Sequence, residues 1–192
     1  MLLAGGGSSR LGRPKQLLKF EGETLLRRAA RALAESVYFP IVVVLGADAE
    51  MGEPELSGLP VYSVFNERWT DGMSTSLRVG LSRILELEPG ADGVIIALCD
   101  QPFVTTEMLD RFACKFHEAN APIVSAGYNE VSGVPALFSK DLFEELFNLN
   151  GDQGARQVIR NSYNVYTIDV PEAAVDIDTE DDAVRFGITN RE

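Results

Sequence analysis

The chain is short of the residues that most hydrolytic and redox chemistry relies on: its 192 residues include one histidine, two cysteines and one tryptophan. The single histidine, His117, falls near the end of an amphipathic stretch and reads as a surface or half-buried helix residue. Ser-His-Asp and Cys-His relays need an imidazole beside the nucleophile, so both are excluded. Cys99 and Cys114 have no metal-type spacing, and in a reducing compartment they would form no disulfide; both read as small buried residues. Long apolar runs are also lacking. The longest strongly apolar run, residues 41–45, falls far short of the roughly 20 residues needed to cross a bilayer. No signal peptide is expected ahead of the first motif, so the expectation is a cytoplasmic protein with no membrane partner. Positive charge is scarce, at 17 Lys and Arg against 29 Asp and Glu, for a net charge of −12. That balance excludes non-specific nucleic-acid binding, which needs a basic face. It also means that an anionic substrate must be drawn in by local cations against the field of the whole protein.

What remains is an ordinary globular composition, 45% hydrophobic and 24% charged, without internal repeat, low-complexity tract or linker. One domain over residues 1–192 is expected. Strand signals fall at residues 1–4, 41–46, 61–65, 93–98, 122–126, 134–138, 165–170 and 174–177. Helical periodicity follows Thr24, with a basic outer face of Arg27, Arg28 and Arg31 read as solvated surface. Further helices run through 77–85, capped by Ser74, Thr75 or Ser76, then through 106–118, through 140–147 capped by Ser139, and through 155–161. Thr179 and Asp182 form a capping box for a last helix. Trp69 lies in a loop and is read as covering a core edge more readily than stacking on a ligand. Strands alternating with helices in this way imply a mostly parallel sheet covered on both faces, a three-layer α/β/α architecture.

The chemistry concentrates in Leu2-Leu3-Ala4-Gly5-Gly6-Gly7-Ser8-Ser9-Arg10-Leu11-Gly12-Arg13-Pro14-Lys15. A short apolar strand opens there into a loop that brings backbone N–H groups, hydroxyls and cations to one point, the outline of a polyphosphate site. Neither the Walker loop nor the dinucleotide fingerprint fits its glycine spacing. Asp100 falls just past the carboxyl end of the clearest central strand, where open α/β sheets bind ligands. Magnesium prefers one or two carboxylates with phosphate oxygens and waters. Asp100 is therefore the first candidate ligand. Asp176 and Asp178, which point the same way if their segment is extended, are the candidates for the second, with Asp178 preferred.

This run resembles the signature loop of the nucleotidyltransferases built on a glycosyltransferase-A-like (nucleotide-diphospho-sugar transferase) α/β fold. The likeness is greatest to the molybdenum cofactor cytidylyltransferase-like (MocA/MobA-like) NTP transferase family. Asp71 to Leu77, Leu98-Cys99-Asp100-Gln101-Pro102, Gly133 to Phe138, Gly151 to Arg156 and Asp176-Ile177-Asp178-Thr179 continue the resemblance in order. Family members usually carry several more apolar residues ahead of the opening motif. The resemblance implies a Mg2+-dependent transfer of CMP, or less readily GMP, from an NTP to the phosphate of molybdopterin or molybdenum cofactor, with release of pyrophosphate. Its implied catalytic residues are Arg10, Lys15 and Asp100. The implied nucleotide contacts are Leu3, Ala4, Gly5, Gly6, Gly7, Ser8, Lys15, Asn66, Asp71, Ser74 and Asp100. On the acceptor side they are Gln101, Pro102, Ser132, Gly133, Pro135, Gly151, Asp152, Gly154 and Arg156. A molybdoenzyme or its maturation chaperone is the further partner implied. The opening Leu3-Ala4-Gly5-Gly6 matches the guanylyl relatives while the rest is cytidylyl-like, so CTP and GTP both stay open. Two alternatives stand beside this reading: transfer to a sugar or alditol phosphate, and a non-catalytic cofactor-binding maturation partner.

Overall fold

The computed structural model describes residues 1–7, 12–119 and 121–188. Its elements, in chain order, begin with β1 (Leu2–Ala4), the ribbon strands β2 (Lys19–Phe20) and β3 (Glu23–Thr24), α1 (Leu25–Ala34) and β4 (Val42–Leu45). Then come α2 (Ala49–Gly52), β5 (Tyr62–Phe65), α3 (Met73–Leu87), β6 (Gly93–Leu98) and α4 (Thr106–Ala119). The chain continues through β7 (Ile123–Tyr128), β8 (Val131–Ser139), α5 (Phe143–Phe147), α6 (Ala155–Asn161), β9 (Val165–Asp169) and α7 (Glu180–Arg185).

Seven strands form one sheet in the order β5-β4-β1-β6-β8-β7-β9. β1 pairs in parallel with β4 and β6, β4 with β5, and β7 with β9; β8 alone runs antiparallel to its neighbours β6 and β7. The exception has a local cause. β7 and β8 are joined by a two-residue turn at Asn129 and Glu130, both at positive φ, the geometry that matches the twist of a hairpin. The other strands are linked by longer excursions, mostly helical, as parallel neighbours require.

The period-two alternation of a strand sorts its side chains between two cores. Leu2, Ala4, Val43, Leu45, Ile95 and Ala97 face α1 and α4, packing on Leu26, Leu33, Leu109 and Phe112. Leu3, Val42, Val44, Val94 and Ile96 face the other way onto Leu77, Leu81, Leu146 and Val158 of α3, α5 and α6. A satellite cluster of Leu18, Leu25, Ile177, Ala183 and Ile188 fastens the last helix to the segment leading into α1.

Several local expectations are corrected. α3 begins two to four residues earlier than a cap at Ser74, Thr75 or Ser76 would place it, with Gly72 at its N-cap, whose backbone lies directly against Gly151 and Asp152 where a Cβ would collide. Ser139 makes no capping bond, and its buried hydroxyl has no partner among the described residues. The strand expected at 174–177 does not form. β9 already holds the outer edge of β7, so the chain turns through a 3-10 segment, Pro171–Ala174, and crosses the ends of the strands, where the Ile177 N–H donates to the Asp100 carbonyl at 3.0 Å. Cys114 is exposed, since Leu109 and Phe112 define the inward face of α4. The arginines of α1 tie the fold together: Arg27 donates to the carbonyls of Glu55 and Ser57, Arg28 to that of Pro102, and Arg31 to the Glu23 carboxylate. The capping box of α7 forms as expected, with Thr179 and Asp182 exchanging bonds. Among the described residues no helix is long and apolar enough to cross a membrane.

Candidate active site

β1 and β6 end side by side, so the loops that leave them, Gly5–Gly7 and Cys99–Asp100, share one rim of the sheet. The Cys99 N–H donates to the Leu3 carbonyl at 3.3 Å, which ties the two loops together. Above them opens a cavity of about 330 Å3 lined by Leu3, Ala4, the three glycines, Lys15, Trp69, Thr70, Met73, Ser76 and Asp100, among others. Trp69 explains two of the glycines. A Cβ on Gly7 would come within 2.9 Å of the indole, and one on Gly46 would come within 2.8 Å of the Trp69 Cβ and 2.5 Å of the Gly5 carbonyl. The indole therefore lies flush on backbone and forms a wall of the cavity.

A second cavity of about 470 Å3 adjoins the first, sharing Leu3, Met73, Leu98 and Asp152 with it; its lining also includes Val134, Gly154, Arg156, Gln157, Arg160 and Asp176. The two make one cleft with an electrostatic boundary. Lys15 Nζ bonds Asp100 Oδ2 and, at 3.1 Å, Asp178 Oδ1. Burial opposes the Lys15 charge, but the charge and hydrogen bonds of Asp100 and Asp178 together hold the ammonium pKa above its ordinary range. The Cys99 thiol is pushed up to about 12 by burial and then by Asp100, which leaves it inert as a nucleophile. Asp176 is pushed up to about 6, first by burial and then by the Asp100 charge, with Arg156 opposing.

Two buried carboxylate oxygens, Asp100 Oδ1 and Asp176 Oδ1, have no hydrogen-bond partner among the described residues. Buried polar atoms are nearly always satisfied, so this pair calls for a cation or ordered water. No ready cage of three or more metal-ligating side chains exists among the described residues. Two carboxylates facing a phosphate-sized cleft nevertheless fit a hard divalent ion that draws its other ligands from substrate and water.

The nucleotide-side residues Leu3, Ala4, Gly5, Gly6, Gly7, Lys15 and Asp100 are brought together; Ser8 and Arg10 lie outside the described residues. Three others are turned away from the lining. Asn66, 1% exposed, spends its amide on Thr75 Oγ1, Ser76 Oγ and the Arg68 N–H. Asp71 pairs with Arg68 on the surface at 2.8 Å, and Ser74 is fully buried with its hydroxyl accepting from Arg78. Ser76, two residues on, lines the cavity instead of Ser74.

On the acceptor side Asp152, Gly154 and Arg156 line the larger cavity. Pro102, Pro135 and Gly151 do not; the Pro102 carbonyl accepts from Arg28, and the Gly151 carbonyl accepts from the Ser74 N–H. Ser132 faces a smaller neighbouring cavity with Arg156 and Arg160. Gly133 packs beneath Arg156. Gln101, 2% exposed, donates to the carbonyls of Val134 and Ala173, so it braces the segment that carries Asp176. Asp178, preferred from the sequence as the second ligand, shares Lys15 with Asp100 and has its side chain 39% exposed, while Asp176 lines the larger cavity. Trp69, Thr70, Met73, Gln157 and Arg160 were not among the expected site residues. Each joins the cleft through packing between distant segments, a signal the sequence does not carry.

Comparison with known proteins now bears on the geometry. The family profile described as the MobA-like NTP transferase domain matches residues 1–166. Nicotine blue oxidoreductase of Paenarthrobacter nicotinovorans is 29% identical over 97% of this chain and 94% of its own. A probable molybdenum cofactor guanylyltransferase of Bacillus cytotoxicus is 24% identical over 78% of this chain and 72% of its own. The crystal structure of Rv0371c from Mycobacterium tuberculosis H37Rv superposes with a TM-score of 0.79 at 31% identity, covering 96% of this chain and 94% of that one. Its manganese complex superposes at 0.76 and 29% identity, covering 96% and 95%. The expected recognition and fold class agree with these findings. The chain belongs to the MobA-like NTP transferase family and is an enzyme of the nucleotidyltransferase class.

Proposed function

We propose that the chain transfers a nucleoside monophosphate, CMP in preference to GMP, from the NTP to the phosphate of molybdopterin or its molybdenum form, releasing pyrophosphate. The observation that carries this reading is the divided cleft: a glycine-lined compartment with a lysine opens onto a larger compartment with arginines, and two buried carboxylates mark the junction. The triphosphate would lie along Gly5–Gly7 with Lys15 on the leaving pyrophosphate, and the base against Trp69 and Ser76. The acceptor phosphate would enter from the Arg156 side.

In the reaction an acceptor phosphate oxygen bonds to the α-phosphorus while the bond to the β-bridging oxygen breaks, and pyrophosphate departs with that electron pair. A phosphate monoester has a second pKa of about 6, so it is already a competent nucleophile at neutral pH and needs no strong base. The catalysis falls to positioning and electrostatics. Lys15 neutralises charge on the leaving group, with Arg10 assigned the same task from the sequence. The metal is Mg2+, bound by Asp100 with Asp176 in place of Asp178, and it would polarise the α-phosphate and shield its charge. The manganese bound by Rv0371c supports a divalent ion in the family. The molybdenum cofactor guanylyltransferase relative supports the acceptor class.

Pyrophosphate release by the purified protein with Mg2+ and extracted molybdenum cofactor, given CTP, GTP, ATP and UTP separately, tests the reading. Cofactor-dependent release with CTP exceeding GTP is expected. Release with GTP alone would overturn the base assignment. No release by folded protein, or release only with sugar or alditol phosphates, would overturn the acceptor.

A further inference from the structure

Arg156 lines the same cavity as Asp176, and its placement is controlled from behind. Its Nη2 donates to the Tyr128 hydroxyl at 2.5 Å, and its guanidinium carbon lies 5.9 Å from the centre of the same ring. Tyr128 is 8% exposed at the end of β7, and its hydroxyl reaches the Val134 carbonyl on β8 at 3.4 Å. That carbonyl also receives the Gln101 amide at 3.1 Å, and Gln101 follows Asp100 directly. One backbone oxygen therefore joins the carboxylate loop, through Gln101, to the acceptor-side arginine, through Tyr128. Gly133 makes the arrangement possible, for a Cβ there would lie 3.1 Å from Arg156 Nε and would collide with the Tyr128 hydroxyl.

We propose that Tyr128 is a positioning residue of the acceptor compartment, holding the Arg156 guanidinium at a fixed place relative to Asp100 so that it receives the phosphate of the incoming acceptor. Tyr128 need not touch substrate for this. An arginine side chain has several free torsions, and a guanidinium held in advance loses less entropy when it binds a phosphate. A phenol serves because it can accept from the arginine while donating to the carbonyl. The hairpin places these groups: β7 and β8 pair at Tyr128–Val131 and Ala126–Gly133, and the register shift that follows leaves Val134 in a bulge, out of the ladder and beside the Tyr128 hydroxyl. The inference rests on the acceptor reading above.

The test is the variant Tyr128→Phe, which keeps the ring and its packing and removes only the hydroxyl. In the pyrophosphate assay the KM for the acceptor is expected to rise about tenfold, the loss typical of a hydrogen bond to a charged group, while the KM for the NTP stays unchanged. Gly133→Ala should reproduce the split by displacing the guanidinium. A second readout needs no turnover: the guanidinium 15N signals of Arg156, identified by their loss in Arg156→Lys, should show hindered rotation in the parent protein and free rotation in Tyr128→Phe. An unchanged acceptor KM, or Arg156 signals that stay hindered in Tyr128→Phe, would overturn the positioning role. A parent protein with no turnover at all would instead overturn the acceptor assignment, and the 15N spectra would still decide Tyr128.

Discussion

Asp176 and Asp178 are two residues apart in sequence and would share a face of an extended segment, yet their surroundings differ. Asp178 reaches back to Lys15 and is partly in water, whereas Asp176 is held over the cleft with one oxygen unpartnered and its pKa raised. The sequence named the pair as candidates and preferred Asp178; the structure sets Asp178 on Lys15 beside Asp100 and Asp176 in the cavity lining, a division that depends on where Lys15 lies once the loop after β1 has folded. Replacing each by Asn separates them. Asp176→Asn is expected to raise the metal concentration needed for half-maximal pyrophosphate release more than Asp178→Asn does, and Asp100→Asn to lower kcat about 100-fold or more, as loss of a transition-state stabiliser does. The cysteines divide in the same way. Cys114 on the outer face of α4 should react with a thiol reagent in the native protein, and Cys99, 4% exposed beneath the junction, only after unfolding. Titration of reactive thiols with and without denaturant counts them.

The elements that build the cleft are short turns and caps placed where segments meet. Gly72 is the sharpest case. Its φ of 104° is accessible chiefly to glycine, and its backbone lies against the Gly151 turn, so it starts α3 and seats the loop carrying Asp152 at once. Gly72→Ala is expected to destabilise the fold by about 1–3 kcal/mol through strain and overpacking. Denaturant unfolding would register it as a lower midpoint with an unchanged slope. The Ser-Thr-Ser run that follows has the composition of a helix cap, and that reading failed because a cap is an issue of neighbouring backbone as much as residue type. The box at Thr179 and Asp182 was legible because both of its bonds close within four residues.

On the scale of the whole molecule the sheet runs without a break between two cores, with β6 at its centre contributing Ile95 and Ala97 to one and Val94 and Ile96 to the other. A chain built in this way should unfold as one unit. We expect the single tryptophan, Trp69, which reports the cleft, and far-UV circular dichroism, which reports the helices, to give superimposable transitions in denaturant. Transitions that separate would show a subdomain and overturn the single-domain reading. The acidic excess stays compatible with a polyphosphate substrate because Lys15, Arg156 and Arg160 line the one cleft.

The sequence by itself determined the layering of the sheet, the place of Asp100 at the end of β6 and the family, since strand alternation and motif order are carried by residues near one another in the chain. Tertiary structure alone decided that Trp69 walls the glycine-lined cavity, that Asp178 joins Asp100 on Lys15 while Asp176 lines the adjoining cavity, that the side-chain NH2 groups of Asn66 and Gln101 are bonded within the protein, and that Tyr128 stands behind Arg156. Those outcomes depend on which distant polar group reaches each side chain first, and that competition exists only after the strands have paired.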